Sequence, residues 1–208
     1  MKPVCPNRPL IIAEVKPMSP FTGFRSAHTW MELFDMACRV GDIISVHIDP
    51  RWEGSIELVH LARKLTDKPI LAKGPNESDD NIAKAFATGA DYVLIVLGMG
   101  RNRIPASFPI DKLLIEPCTI EQLETFPSEA LAVWNSRNLV LGGVLKAHSF
   151  SDARAVWKGW LCQASNIKSI SDIDPRAQAV IIGEKLPDIV DELEVDKLEE
   201  WQEASPRR

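Results

Sequence analysis

Glu14 and Lys16 stand two residues apart at the end of the apolar run LIIAEVK (10–16). In an extended strand the side-chain period is two, so both point to one face. A carboxylate and an ammonium placed together at a strand end can hold a carboxyl group and move a proton, and they can equally form a salt bridge with no further role. Lys73 closes a second run, PILAK (69–73), and Glu116 closes KLLIE (112–116). Partial desolvation at such an end makes a lysine a readier acid and a carboxyl a readier proton carrier. Asn135 ends LAVWN (131–135) and opens a cluster of donors, Asn135-Ser136-Arg137-Asn138. WLCQAS (160–165) ends on Ser165 and runs into Asn166, and AVIIG (179–183) runs into Glu184-Lys185. Gly183 there would let backbone N–H groups come close to a phosphate.

These groups need strands to carry them. With IISVHI (43–48) and YVLIVL (92–97) the chain has eight short β-branched or aliphatic runs. Helical patterns alternate with them at 29–40, 55–65, 79–88, 119–125, 150–158 and 188–202, with Thr29, Ser78 and Ser151 where N-caps are expected. Strands that are apolar almost throughout, each followed by a helix, predict a parallel sheet buried on both faces. Eight such units predict a closed (β/α)₈ TIM barrel of the α/β class, because open doubly wound sheets use about five or six strands. The stretches 98–109 and 166–174 lack helical periodicity, which predicts shortened fourth and seventh helices. The last stretch, with Leu193, Val195, Leu198 and Trp201 among acidic residues, predicts a helix packed on the barrel and a frayed end. In such a barrel the C-terminal strand ends share one face, so Glu14, Lys16, Lys73, Glu116, Asn135 and Arg137 would converge on one pocket.

Composition narrows the partners. A net charge of −5 argues against a broad nucleic-acid or anionic-membrane surface, which needs clustered Lys and Arg, but allows a small anionic ligand held by local cations. The first apolar run is broken by Glu14 and Lys16, and no run approaches the roughly 20 residues of a membrane-spanning helix. Cys5, Cys38, Cys118 and Cys162 show no CxxC spacing and no His at ligand distance, which predicts reduced thiols, no metal and a cytoplasmic setting. No linker-like stretch divides residues 1–208, which predicts a single domain.

The motifs in order resemble one family. IAEVKPMSPFTG (12–23), SVHIDPRWEGSIELV (45–59), LAKG (71–74), GADYVLIV (89–96), LLIEP (113–117), WNSRNL (134–139), QASNI (163–167) and VIIGEKL (180–186) resemble the strand-end motifs of indole-3-glycerol phosphate synthase. The first and sixth are specific, and the others add order and spacing. The resemblance implies closure of the indole ring of 1-(2-carboxyphenylamino)-1-deoxyribulose 5-phosphate with loss of CO₂ and water, without cofactor or metal. It implies Lys73 as general acid, Lys16 holding the carboxylate, Glu14 and Glu116 moving protons, and Asn135 and Arg137 orienting the substrate. Trp52 would stack on the anthranilate ring or simply pack at a helix start. Ser19, Ser165, Asn166, Gly183 and Glu184 would surround the phosphate.

The departures from the family's pattern carry expectations as well. Its K-D-F becomes Lys73-Gly74-Pro75 and its S-E-S-G becomes Gln163-Ala164-Ser165-Asn166, while Lys185 replaces a small residue. About nine residues precede the first strand, where family members carry an extension over the site. These changes predict an open site with weak binding and slow turnover. The alternative is a catalytically weak or inactive barrel that binds an anionic ligand or a tryptophan-pathway partner. A phosphoribosylanthranilate-isomerising barrel expects a Cys at the end of strand one, where Glu14-Val15-Lys16 stands.

Overall fold

The computed structural model describes residues 2–5 and 7–204, with side chains described as far as 195. Eight parallel strands close a barrel: β1 (Leu10–Val15), β2 (Ile43–His47), β3 (Ile70–Lys73), β4 (Tyr92–Val96), β5 (Leu113–Glu116), β6 (Leu131–Asn135), β7 (Trp160–Ala164) and β8 (Ala179–Ile182). Closure is made by β1, which pairs with β2 on one side and with β8 on the other.

Alternation along the strands sorts the core into two regions. Ile11, Ala13, Val15, Ile44, Val46, Ile70 and Ala72 face outward and pack with the helices. Leu10, Ile12, Ile43, Leu71, Leu94, Leu114, Leu131, Val133 and Cys162 fill the barrel interior. The same parity carries Glu14, His47, Lys73, Glu116 and Asn135 inward at the upper ends of their strands.

The helices are α1 (Trp30–Val40), α2 (Ile56–Leu65), α3 (Asp79–Thr88), α4 (Ile120–Glu124), α5 (Phe150–Val156) and α6 (Leu186–Ala204). Thr29 caps α1 in a reciprocal box with Glu32, and Ser78 caps α3 by accepting from Asn81 N. The cap of α5 is Ser149 rather than Ser151, because the Ser149 hydroxyl and Asp152 satisfy each other's backbone N–H groups. Ser151 lies inside the helix and accepts from Arg176 instead. Between β4 and β5 the chain makes one 3₁₀ turn at Ile110–Lys112, and between β7 and β8 one at Ile170–Asp172. On α6, Leu186, Ile189, Val190 and Leu193 are buried, whereas Val195, two residues on from Leu193 and so on the opposite side of the helix, is exposed. The side chains of Leu198 and Trp201 lie outside the described residues. Among the described residues no helix is long and apolar enough to cross a membrane.

The lower rim is tied side chain to backbone. Asp42 accepts from Ile11 N and from Arg8, and Asp91 accepts from Ile70 N and Arg63. Gln178 accepts from Leu161 N in the same way. Each satisfies an N–H at the start of the neighbouring strand, where the ladder has not yet begun. Residues 2–5 lie at this end, with Lys2 donating to Ser128 O and Trp160 Nε1 donating to Pro3 O at 2.8 Å.

Candidate active site

At the upper end of the barrel the strand ends open into one cavity. Its wall includes Glu14 and Lys16 from β1, His47 from β2, Lys73 from β3, Asn135 from β6 and Gly183 after β8. Loops add Ser19, Phe21, Trp52, Arg137, Ser165, Asn166 and Glu184. Five cations (Lys16, Lys73, Arg137, Lys168, Lys185) face two carboxylates (Glu14, Glu184) in a chain whose net charge is −5. Leu94, Val96, Met99, Leu139, Ile167 and Ile181 make much of the remainder apolar. An apolar floor with a local excess of cations suits an aromatic or aliphatic body carrying more than one anionic group.

Glu14 is held through one carboxylate oxygen by two partners. It is 3% exposed, and its Oε1 accepts from Lys73 Nζ at 2.7 Å and contacts His47 Nε2. Burial alone would raise this carboxyl, but Lys73, Lys16 and His47 outweigh it and hold Glu14 well below its ordinary range. Lys16, which alternation places beside Glu14, bonds instead to Glu184 Oε1 at 3.1 Å, and Glu184 also accepts from Thr22. The two residues are thus not each other's salt bridge. Each has a partner on another strand or loop.

Glu116 does not reach the wall. It is 2% exposed, and the Asn135 amide donates to its Oε1 at 3.0 Å from the adjacent strand. Asn135 lines the cavity, and Glu116 lies behind it. Burial pushes Glu116 above its ordinary value, against Lys146, Lys73 and Asn135. Lys146 is itself lowered by burial; its ammonium sits over the Trp134 ring at 4.4 Å and donates to Pro117 O.

Linkage gives the two carboxyls opposite signatures. Glu14 contributes stability that is complete above the ordinary carboxylate value and is lost as pH falls through its depressed one. Glu116 sits above 4.5, so the native state keeps a proton that the unfolded chain releases, and stability is lost as pH rises through the raised value. The stability of Glu116→Gln relative to wild type is therefore expected to shift in the variant's favour between pH 4 and pH 7. Denaturant unfolding at the two pH values measures this, and a shift the other way would contradict the raised value.

The loop after β6 carries the donors. Arg137 N donates to Asn135 Oδ1 at 2.9 Å, and Ser165 Oγ donates to the same oxygen at 2.7 Å. The Arg137 guanidinium is held by Gly143 O and Asn166 Oδ1, both at 3.2 Å. A short antiparallel ribbon, Arg137–Asn138 with Val144–Leu145, projects from this point. Gly143 packs so closely that a Cβ on it would lie 2.6 Å from Phe21 Cβ. The loop after β1 therefore meets the ribbon across the mouth. That loop is closed on itself by Ser19 N to Phe24 O and Ser26 N to Pro17 O.

Trp52 is 6% exposed, and its ring is stacked on His47 with centroids 5.5 Å apart at 6°, with Phe21 edge-on at 5.4 Å. One face of the indole is thus taken by His47, which matches a packed aromatic better than a free platform for a substrate ring. Ser19 is buried at the wall, and Ser165 and Asn166 adopt left-handed φ of 67° and 59°. His47, Phe21 and Lys146 were not among the residues picked out from sequence. For His47 a signal exists: positions 43, 45 and 47 share a face, and His47 registers with Lys73. Phe21 and Lys146 come from loops, whose positions no periodicity reports.

No protein-family profile matches the chain. Over 94 residues it is 33% identical to an indole-3-glycerol phosphate synthase of Nautilia profundicola. That match covers 44% of this chain, and the chain spans about a third (36%) of that relative's length.

Proposed function

We propose that this barrel is a lyase of the indole-3-glycerol phosphate synthase type, acting on 1-(2-carboxyphenylamino)-1-deoxyribulose 5-phosphate. The observation that carries the reading is the cavity's excess of cations around an apolar floor, with Lys73 Nζ set 2.7 Å from Glu14 Oε1. The substrate has an aromatic body, a carboxylate and a phosphate. The partial likeness to the Nautilia profundicola protein adds support.

In this reading Lys16 holds the carboxylate, and Arg137 with Asn135 orients the sugar. Lys73 gives a proton to the ketone oxygen as the ring carbon bearing the carboxylate attacks the carbonyl carbon. The carboxylate then leaves as CO₂, and its bonding electrons restore the aromatic ring. Dehydration needs a proton for the departing hydroxyl and a base for the hydrogen on the neighbouring carbon. Carboxyls whose values are pushed apart divide such tasks, so Glu116 is the donor and Glu14 the acceptor. Donation by Glu116 requires access past Asn135, which lines the cavity in front of it and holds its Oε1. Ser19, Ser165, Asn166 and the Gly183-Glu184 turn would receive the phosphate.

The test is direct. Purified protein is mixed with the substrate, and the appearance of indole fluorescence and CO₂ is followed together. Equimolar release of both supports the reading; no product at stoichiometric protein over hours sinks it.

A further inference from the structure

His47 ends β2 on the inward face, in register with Lys73 of β3. Charged groups surround it from every neighbouring element: Glu14 on β1 and Lys16 just after it, Lys73 on β3, and Asp49 in its own following turn. Its Nε2 meets Glu14 Oε1, the same oxygen that accepts from Lys73 Nζ at 2.7 Å. The other oxygen, Oε2, lies over Gly183, where a Cβ would be only 2.1 Å away. The imidazole is fixed from two further sides. Trp52 stacks on its ring, and Gly54 packs so tightly under its backbone that a Cβ there would be 2.4 Å from the His47 carbonyl oxygen.

We infer that His47 is a positioning residue for the carboxylate of Glu14: its Nε2–H holds Oε1 together with Lys73, so that Oε2 is the oxygen that exchanges a proton at the Gly183 side of the cavity. The arrangement is read from geometry; only its catalytic consequence rests on the synthase reading above.

The proton inventory fits. Burial disfavours imidazolium and Lys73 and Lys16 repel it, which together outweigh the attraction of Glu14 and leave His47 below its ordinary value. A neutral imidazole carries one proton. Nε2 faces an ionised acceptor, whereas Nδ1 is buried without a hydrogen-bond partner. A proton on Nδ1 would leave an N–H orphaned and set two lone pairs against each other at Nε2, so the Nε2–H form is selected. A hydrogen bond to the ionised form lowers a carboxyl's value, so His47 also helps keep Glu14 a base.

Two measurements decide the point. In the 208-residue chain labelled with ¹⁵N-histidine and assigned through the backbone, His47 is expected to show the Nε2–H tautomer and to remain neutral at pH 6.5, where an ordinary imidazole is half protonated. An Nδ1–H tautomer or an ordinary titration would overturn the inference, and no substrate or variant is involved. In the synthase assay, His47→Leu is expected to lose about tenfold or more in kcat, with KM little changed, because the loss falls on a proton-transfer step. Its acid limb should move to higher pH, since Glu14 has lost a donor that favoured its charged form. His47→Gln, which keeps an N–H at the Nε2 position, should restore most of the rate and the limb. Equal losses in both variants, or a loss confined to KM, would count against positioning. If the wild-type chain makes no indole product, the synthase reading fails while the tautomer measurement still decides the role of His47.

Discussion

Lys73→Ala is expected to lower turnover by about 10²- to 10⁴-fold, the usual contribution of general-acid catalysis, while KM changes far less. The ammonium is placed to give its proton as the ketone becomes an alkoxide, a charge that exists only in the transition state and after it. The substitution also removes the cation that does most to keep Glu14 ionised against burial, so the Glu14 carboxyl should rise and the acid limb move to higher pH. Lys16→Ala offers the contrast. An ammonium that holds a carboxylate in the ground state should weaken KM along with kcat. Steady-state kinetics of both variants beside wild type provide the check, and unchanged turnover in Lys73→Ala would remove the acid role.

Gly183→Ala is expected to cost at least about 100-fold in kcat/KM with the barrel intact, because a misplacement of about 1 Å in a catalytic group can cost that much. A methyl at this position would sit 2.1 Å from Glu14 Oε2, 3.0 Å from its Cδ and 3.2 Å from the Lys16 side chain. The carboxylate would have to leave His47 and Lys73, and buried without them it would take up a proton. Circular dichroism would show whether the fold survives, and kinetics would report the loss. Wild-type activity in a folded Gly183→Ala protein would show that Oε2 has no part in the reaction.

Much of the barrel is legible before any coordinate is seen. Runs such as LIIAEV and AVII are apolar on both parities because one parity fills the interior and the other lies under helices, a pattern that sheets with one solvated face do not need. Glu14, Lys73 and Asn135 stand out for the opposite reason: each breaks such a run at its C-terminal end. His47 escapes notice because IISVHI still reads as a strand with one polar residue, and its partner Glu14 lies 33 residues away. The sequence marks Glu116 as a strand-end carboxyl but says nothing of its depth. Whether a side chain lies at the wall or one layer below depends on which neighbour covers it, here Asn135 from the next strand. The cap of α5 lies two residues before the serine that the sequence suggests, because Ser149 and Ser151 are chemically alike and only the reciprocal partner Asp152 separates them.

The left-handed pair after β7 ties stability to function in one short segment. Non-glycine residues in that region cost roughly 1–2 kcal/mol each, and asparagine is among the types that bear it best. Ser165 and Asn166 are kept in it while Ser165 bonds Asn135 and Asn166 bonds Arg137, so the energy stored in the backbone is spent on aiming two side chains of the cavity. Glycine at either position would relax the turn and release the group it aims. Relief of the backbone and retention of these two side-chain contacts are therefore mutually exclusive at positions 165 and 166.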